Sequence, residues 1–160
     1  SHPITPKHYR ISIMSIGQDI LNLLKSQLGN YKSMKLAVDK QTGFITESDV
    51  GGLLTGTSEV RSLMRKIRDK EAALRPLRQS WTSLGIDRPV IEKREIDTLV
   101  AAIRGIIGTI KVTRDQNAEL LETSLDSVKK QMAGLKSQAK VTKAYYPKPK
   151  ADARFIDQSN

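Results

Sequence analysis

Between Glu92 and Lys140 the chain contains no proline, and apolar residues recur at Ile96, Val100, Ile103, Ile107 and Ile110, then at Leu121, Leu125, Val128, Met132 and Leu135. Steps of three and four place these side chains on one stripe of a helix. At 1.5 Å per residue such a helix is roughly 70 Å long. The stripe has a fault. Counted in sevens, the first half reaches Arg114 and Asn117, where its apolar positions turn polar, and the second half resumes at Ala118, Leu125 and Met132, one residue displaced. Two seams facing two different partners are the expectation.

The preceding chain carries two shorter helical patterns. Ile13, Ile16, Ile20, Leu23, Leu24, Leu28 and Tyr31 mark a helix over about residues 10–38, after a segment holding Pro3 and Pro6. "DKQTGFIT", Asp39 to Thr46, breaks the period and reads as a connection. Leu53, Leu54, Val60, Leu63, Met64, Ile67, Leu74 and Leu77 mark a second helix over 47–84, with Thr46 and Asp49 spaced like a capping box at its start. Pro76 predicts a kink or break near Ala72 to Pro76, and Gly85 ends the helix. Pro89 forces Arg88 into extended backbone, and the long helix follows over 92–140. From Val141 the chain loses periodicity and gains prolines and lysines, which predicts an extended tail over 141–160. The expected fold is all-α: a single domain over 1–140, built as an elongated antiparallel bundle of three main helices with a very long C-terminal helix. Helices of about 28 and 35 residues cover one of nearly 50 only if they are offset.

Composition favours narrow seams over a wide core, because 38% of the 160 residues are apolar and only 4% aromatic. Without Cys there are no disulfides or thiolate metal sites, and His2 and His8 lack a partner at ligand spacing. No metal or cofactor is expected. No apolar run approaches the ~18 residues of a membrane span, so the chain is expected to be soluble, with no membrane insertion. The net charge of +10 builds up after residue 60 and attracts polyanions or an acidic protein surface.

"GGLLTGTS", Gly51 to Ser58, has the glycines and closing Ser of a phosphate loop, but Thr57 stands where the Lys belongs and no strand precedes it. It reads instead as the weak start of the second helix, with fraying or a break between Asp49 and Ser58. Carboxylates are interleaved with Lys or Arg, as in Asp69-Lys70-Glu71, and no catalytic motif is present, which argues against an enzyme. Arg61, Arg65, Arg68 and Arg75 share one helical face. They form either a solvated face or a docking stripe for an acidic partner. Nucleic acid is the weaker reading, because no stacking aromatics or recognition helix accompany them.

Leu121, Leu125, Val128, Met132 and Leu135 form an apolar stripe flanked by Glu119, Glu122, Asp126, Lys129, Lys130 and Lys136, a pattern suited to a helical partner. Packing on the protein's own first helix is the alternative. The order of a helix, a connection, a helix opening at "ESDVGGLL", a Gly-Pro turn and a long helix with "RDQNAELLETSLDSVKKQM" resembles the FlgN family of flagellar type III export chaperones. Asn117, Leu120, Leu121 and Ser124 match that family's Asn, Leu pair and Ser late in the last helix, and Tyr145 or Tyr146 with "ARFIDQSN" resembles its closing segment.

The resemblance implies a cytoplasmic, non-enzymatic chaperone of the hook-filament junction proteins FlgK and FlgL. Asn117, Leu120, Leu121, Leu125, Val128, Met132 and Leu135 would grip the client, and Tyr145 or Tyr146 would contact the export gate protein FlhA. A basic helical nucleic-acid-binding protein and a coiled-coil scaffold remain the alternatives, and the oligomeric state is open.

Overall fold

The structure, a computed structural model, describes the backbone of residues 6–142 and the side chains of residues 16–140. It is all-α: α1 (Pro6–Thr46), α2 (Val50–Leu84), one turn of 3₁₀ helix (Gly85–Asp87) and α3 (Val90–Thr142). No strand occurs among the described residues. The chain divides into two compact units, Ser1–Leu120 and Leu121–Asn160, and the division falls inside α3.

In the first unit each helix contributes a seam with alternating steps of three and four. On α1 it runs Ile20, Leu24, Gln27, Tyr31, Met34, Val38, Gln41 and Ile45. On α2 it runs Leu53, Gly56, Val60, Leu63, Ile67, Lys70, Leu74, Leu77, Trp81 and Leu84, and on α3 Glu92, Ile96, Leu99, Ile103, Ile106, Ile110, Thr113 and Asn117. Every one of these residues is buried or half-buried. This is the packing of a coiled-coil-like bundle, in which the seven-residue repeat keeps one face turned to the neighbouring helices. One cluster joins Ile20, Leu21 and Leu24 to Leu74, Trp81, Ile96 and Ile103. A second joins Met34, Ala37 and Val38 to Leu63 and Ile110. The paired numbers rise along α1, fall along α2 and rise along α3, so the topology is up-down-up. Each fully buried Leu or Ile contributes about 1.5–3 kcal/mol of transfer free energy.

Between the clusters lies Gln27, only 2% exposed. Its Nε2 donates to the Ile67 carbonyl at 3.0 Å and its Oε1 accepts from Asn30 Nδ2 at 3.2 Å. Without those bonds a buried amide would cost more than the apolar residue it displaces.

Four local expectations are corrected. Residues 39–46 are helical and not a connection, because Gln41 and Ile45 continue the α1 seam and Ile45 is 6% exposed. Tertiary packing outweighs the weak propensity of Gly43. The connection is residues 47–49, where Ser48 takes a left-handed φ of 57°. Asp49 N–H donates to Phe44 O at 2.8 Å and Ser48 N–H to Ile45 O at 3.2 Å, a Schellman closure.

Thr46 does not cap α2. Its hydroxyl donates back to Thr42 O, and the cap is Asp49, whose Oδ1 accepts from Gly52 N–H at 2.9 Å. The start of α2 is unbroken: Phe44 lies over Gly52 and Gly56, and a Cβ on Gly52 would come within 2.6 Å of the Phe44 ring. The glycines of "GGLLTGTS" therefore let α1 and α2 close on each other. Nor does Pro76 break α2. It is exposed, and Leu74 and Leu77 pack on either side of it. Gly85 and Arg88 behave as expected, with φ 54° at the glycine and extended backbone at Arg88.

In the second unit α3 continues helical to Thr142. Ser124, Met132 and Ala139 are half-buried, and the other residues from 121 to 140 are exposed.

Candidate functional site

The seam of α3 in the first unit does not stop at Ile110. Thr113 and Asn117 stay inside it, at 9% and 5% exposure, as polar members held by α1. Thr42 Oγ1 donates to Asn117 Oδ1 at 2.5 Å, and Asn117 Nδ2 donates to the Val38 carbonyl at 2.9 Å. Lys35 Nζ donates to Thr113 Oγ1 at 3.2 Å while bridging to Asp39 at 2.5 Å. The polar residues that look like a fault in the sequence are a bonded layer, so Asn117 uses both ends of its amide within the bundle.

From Leu120 onward the same spacing meets water. Leu120 is 39% exposed, Leu121 37%, Leu125 58%, Val128 44% and Leu135 63%, with Met132 half-buried. The stripe from Leu121 to Leu135 steps by four, three, four and three, so these residues lie along one helical edge. Covering a contiguous apolar edge of this kind would recover about 25 cal/mol per Å². Its flanks change sign along the helix, from Glu119, Glu122 and Asp126 to Lys129, Lys130 and Lys136, all exposed.

Of the other residues singled out in the sequence, Arg61, Arg65, Arg68 and Arg75 are all exposed on α2, and none forms an ion pair with a described residue. Tyr145 and Tyr146 lie outside the described residues. Two acids elsewhere are perturbed. Burial, then the Glu71 carboxylate, pushes the Tyr31 hydroxyl up, against an opposing pull from Arg78. Burial, then Glu95, raises the Glu92 carboxyl, whose Oε2 is buried without a hydrogen-bond partner. Among the described residues no group of His, Asp and Glu could hold a metal ion. No described helix is long and apolar enough to cross a membrane.

Comparison with curated proteins and with solved structures gives no significant match. The family model described as FlgN protein matches residues 14–152, most of the chain, from within α1 through the whole of α2 and α3. An all-α bundle whose last helix presents an apolar edge, matched over this length, places the chain in the FlgN family, a chaperone family of flagellar biogenesis.

Proposed function

We propose that the chain is a cytoplasmic export chaperone for the hook-filament junction proteins FlgK and FlgL, and that the late edge of α3 is its client grip. The exposed stripe Leu121, Leu125, Val128, Met132 and Leu135, with Leu120 beside it, carries this reading. A client helix destined for helical contacts in a polymer would lay its own apolar face on this edge and be kept from assembling early. Reversible release suits such a grip, since ordering on binding offsets part of the contact energy. Delivery to FlhA through Tyr145 or Tyr146 completes the reading, while Asn117, bonded to Thr42 and Val38, holds α3 on α1 outside the grip.

The test is capture of purified junction-protein C-terminal segments by the full chain carrying Leu125→Asp and Met132→Asp. Loss of capture with an unchanged helical circular-dichroism spectrum is expected. Retained capture would sink the proposal, and so would unfolding of the free variant, which would make the stripe part of the protein's own core.

A further inference from the structure

The first unit has an open side that the late helix edge does not explain. A furrow of ≈ 560 Å³ has α1 residues Tyr31 and Met34 in its lining, with Met64 and Ile67 from α2 and Ile107 and Ile110 from α3. Met64 and Ile107 are 37% and 41% exposed, so this lining is wet. A second depression of ≈ 500 Å³ shares Tyr31 and Ile107 with it and extends to Trp81 and Ile96. On α3 the pair reaches from Ile96 to Ala118. At 1.5 Å per residue that is about 33 Å, far longer than a small-molecule site and suited to several turns of helix.

The rim selects the partner's charge. Arg68, Lys111 and Arg114 border the first furrow against the single carboxylate of Asp115, and none of the three cations forms an ion pair with a described residue. In the second depression Arg78 is engaged with Glu71, while Arg88 and Arg104 stand with Asp97. The chain's own segment 143–160 carries Lys143, Lys148, Lys150 and Arg154 against Asp152 and Asp157, and a second copy brings a net charge of +10. Both would add positive charge to a positive rim.

We propose that this furrow docks an amphipathic helix of a partner protein whose apolar residues recur every three or four positions and are flanked by Asp and Glu. The apolar lining supplies affinity, and the cations set specificity and speed of encounter. None of the residues lining this surface belongs to the late stripe of α3.

The test measures fluorescence anisotropy of two labelled helical peptides with the same Leu heptads, one flanked by Glu and one by Lys, against the full chain near 0.15 M salt. The Glu peptide is expected to bind at least about tenfold more tightly than its Lys twin. Arg68→Glu with Lys111→Glu and Arg114→Glu should reverse that order, and Ile107→Glu should weaken the Glu peptide about tenfold or more. Arg61→Glu with Arg65→Glu, off the furrow, should change little, whereas loss of peptide binding in Leu125→Asp would assign the peptides to the late edge of α3 and overturn the proposal. If the triple reversal fails to fold, the corresponding Gln variants should abolish the preference instead. Equal binding of the twins, no binding at ~100 µM, or the same loss from the off-furrow pair overturns the proposal. Tighter binding of a peptide spanning residues 143–160 would assign the furrow to the chain's own tail. A dimer in sedimentation that Ile107→Glu makes monomeric would assign it to a second copy.

Discussion

One helix, α3, carries two stretches with the same apolar spacing and opposite fates. Ile96, Ile103 and Ile110 are 7%, 8% and 7% exposed, whereas Leu125 and Leu135 are 58% and 63% exposed. Spacing therefore says that a helix has a sticky edge, and only the presence of facing helices says whether that edge is spent on the fold. The first stretch has partners on α1 and α2. The second keeps its edge, and the proposed client grip depends on that remainder.

The sharpest way to break this contrast is to truncate or charge each stretch. Leu74→Ala, at a wholly buried α2 position facing Ile96 and Ile103, should cost about 2–5 kcal/mol in denaturant unfolding. Leu125→Asp should change stability by no more than about 0.5 kcal/mol. It should weaken client capture by about 2 kcal/mol or more. If Leu125→Asp costs as much stability as Leu74→Ala, the two stretches are one core.

Asn117, between the two stretches, sharpens the boundary. Asn117→Ala removes bonds to Thr42 and Val38 and should cost about 1–3 kcal/mol of stability without reducing client capture. Combined with Thr42→Val it should show a coupling of about 0.5–3 kcal/mol. Reduced capture at unchanged stability would move Asn117 to the exposed side of the comparison.

An effect of similar size tests how close the helices of the first unit lie. A Cβ on Gly52 would sit 2.5 Å from Asp49 Oδ2 and 2.6 Å from Phe44 Cδ1, whereas none of these obstacles exists at Gly108. Gly52→Ala should destabilise by about 1–3 kcal/mol, while Gly108→Ala should stabilise by about 0.5–1 kcal/mol. Equal gains at both sites would show that Phe44 does not constrain the start of α2.

The smallest effect concerns Glu92, the first polar member of the α3 seam. Its folded carboxyl titrates above the ordinary value of 4.5, chiefly through burial and then through Glu95. The folded state thus binds the proton more tightly, so stability is greatest below the unfolded value and falls as pH rises through the folded one. Glu92→Gln should raise Tm at pH 7, with the gain shrinking toward pH 4. A gain independent of pH would show that the effect comes from packing and not from the charge.

The helices were legible in the sequence because steps of three and four are visible without knowing what they face. The end of α1 was not, since Thr42 and Gly43 look like turn residues until Ile45 is seen buried beside them. Nor was the role of Asn117. A polar residue on an apolar stripe reads as an interruption until its register against Val38 and Thr42, more than 70 residues away, supplies partners. Likewise "GGLLTGTS" signalled a weak helix start because propensity is local, whereas Phe44 pressing on Gly52 is not. The late stripe was legible as a sticky edge, and its exposure required the structure.

The three-residue connection at 47–49 bears on the order of folding. Phe44 and Gly52 meet across a very short loop, whereas Asn117 reaches Val38 across a separation of 79 residues. Closing the short loop costs the least chain entropy, so the α1–α2 hairpin should form before α3 docks. Substitutions at the Phe44–Gly52 contact should therefore mainly slow refolding, and those at Asn117 should mainly speed unfolding.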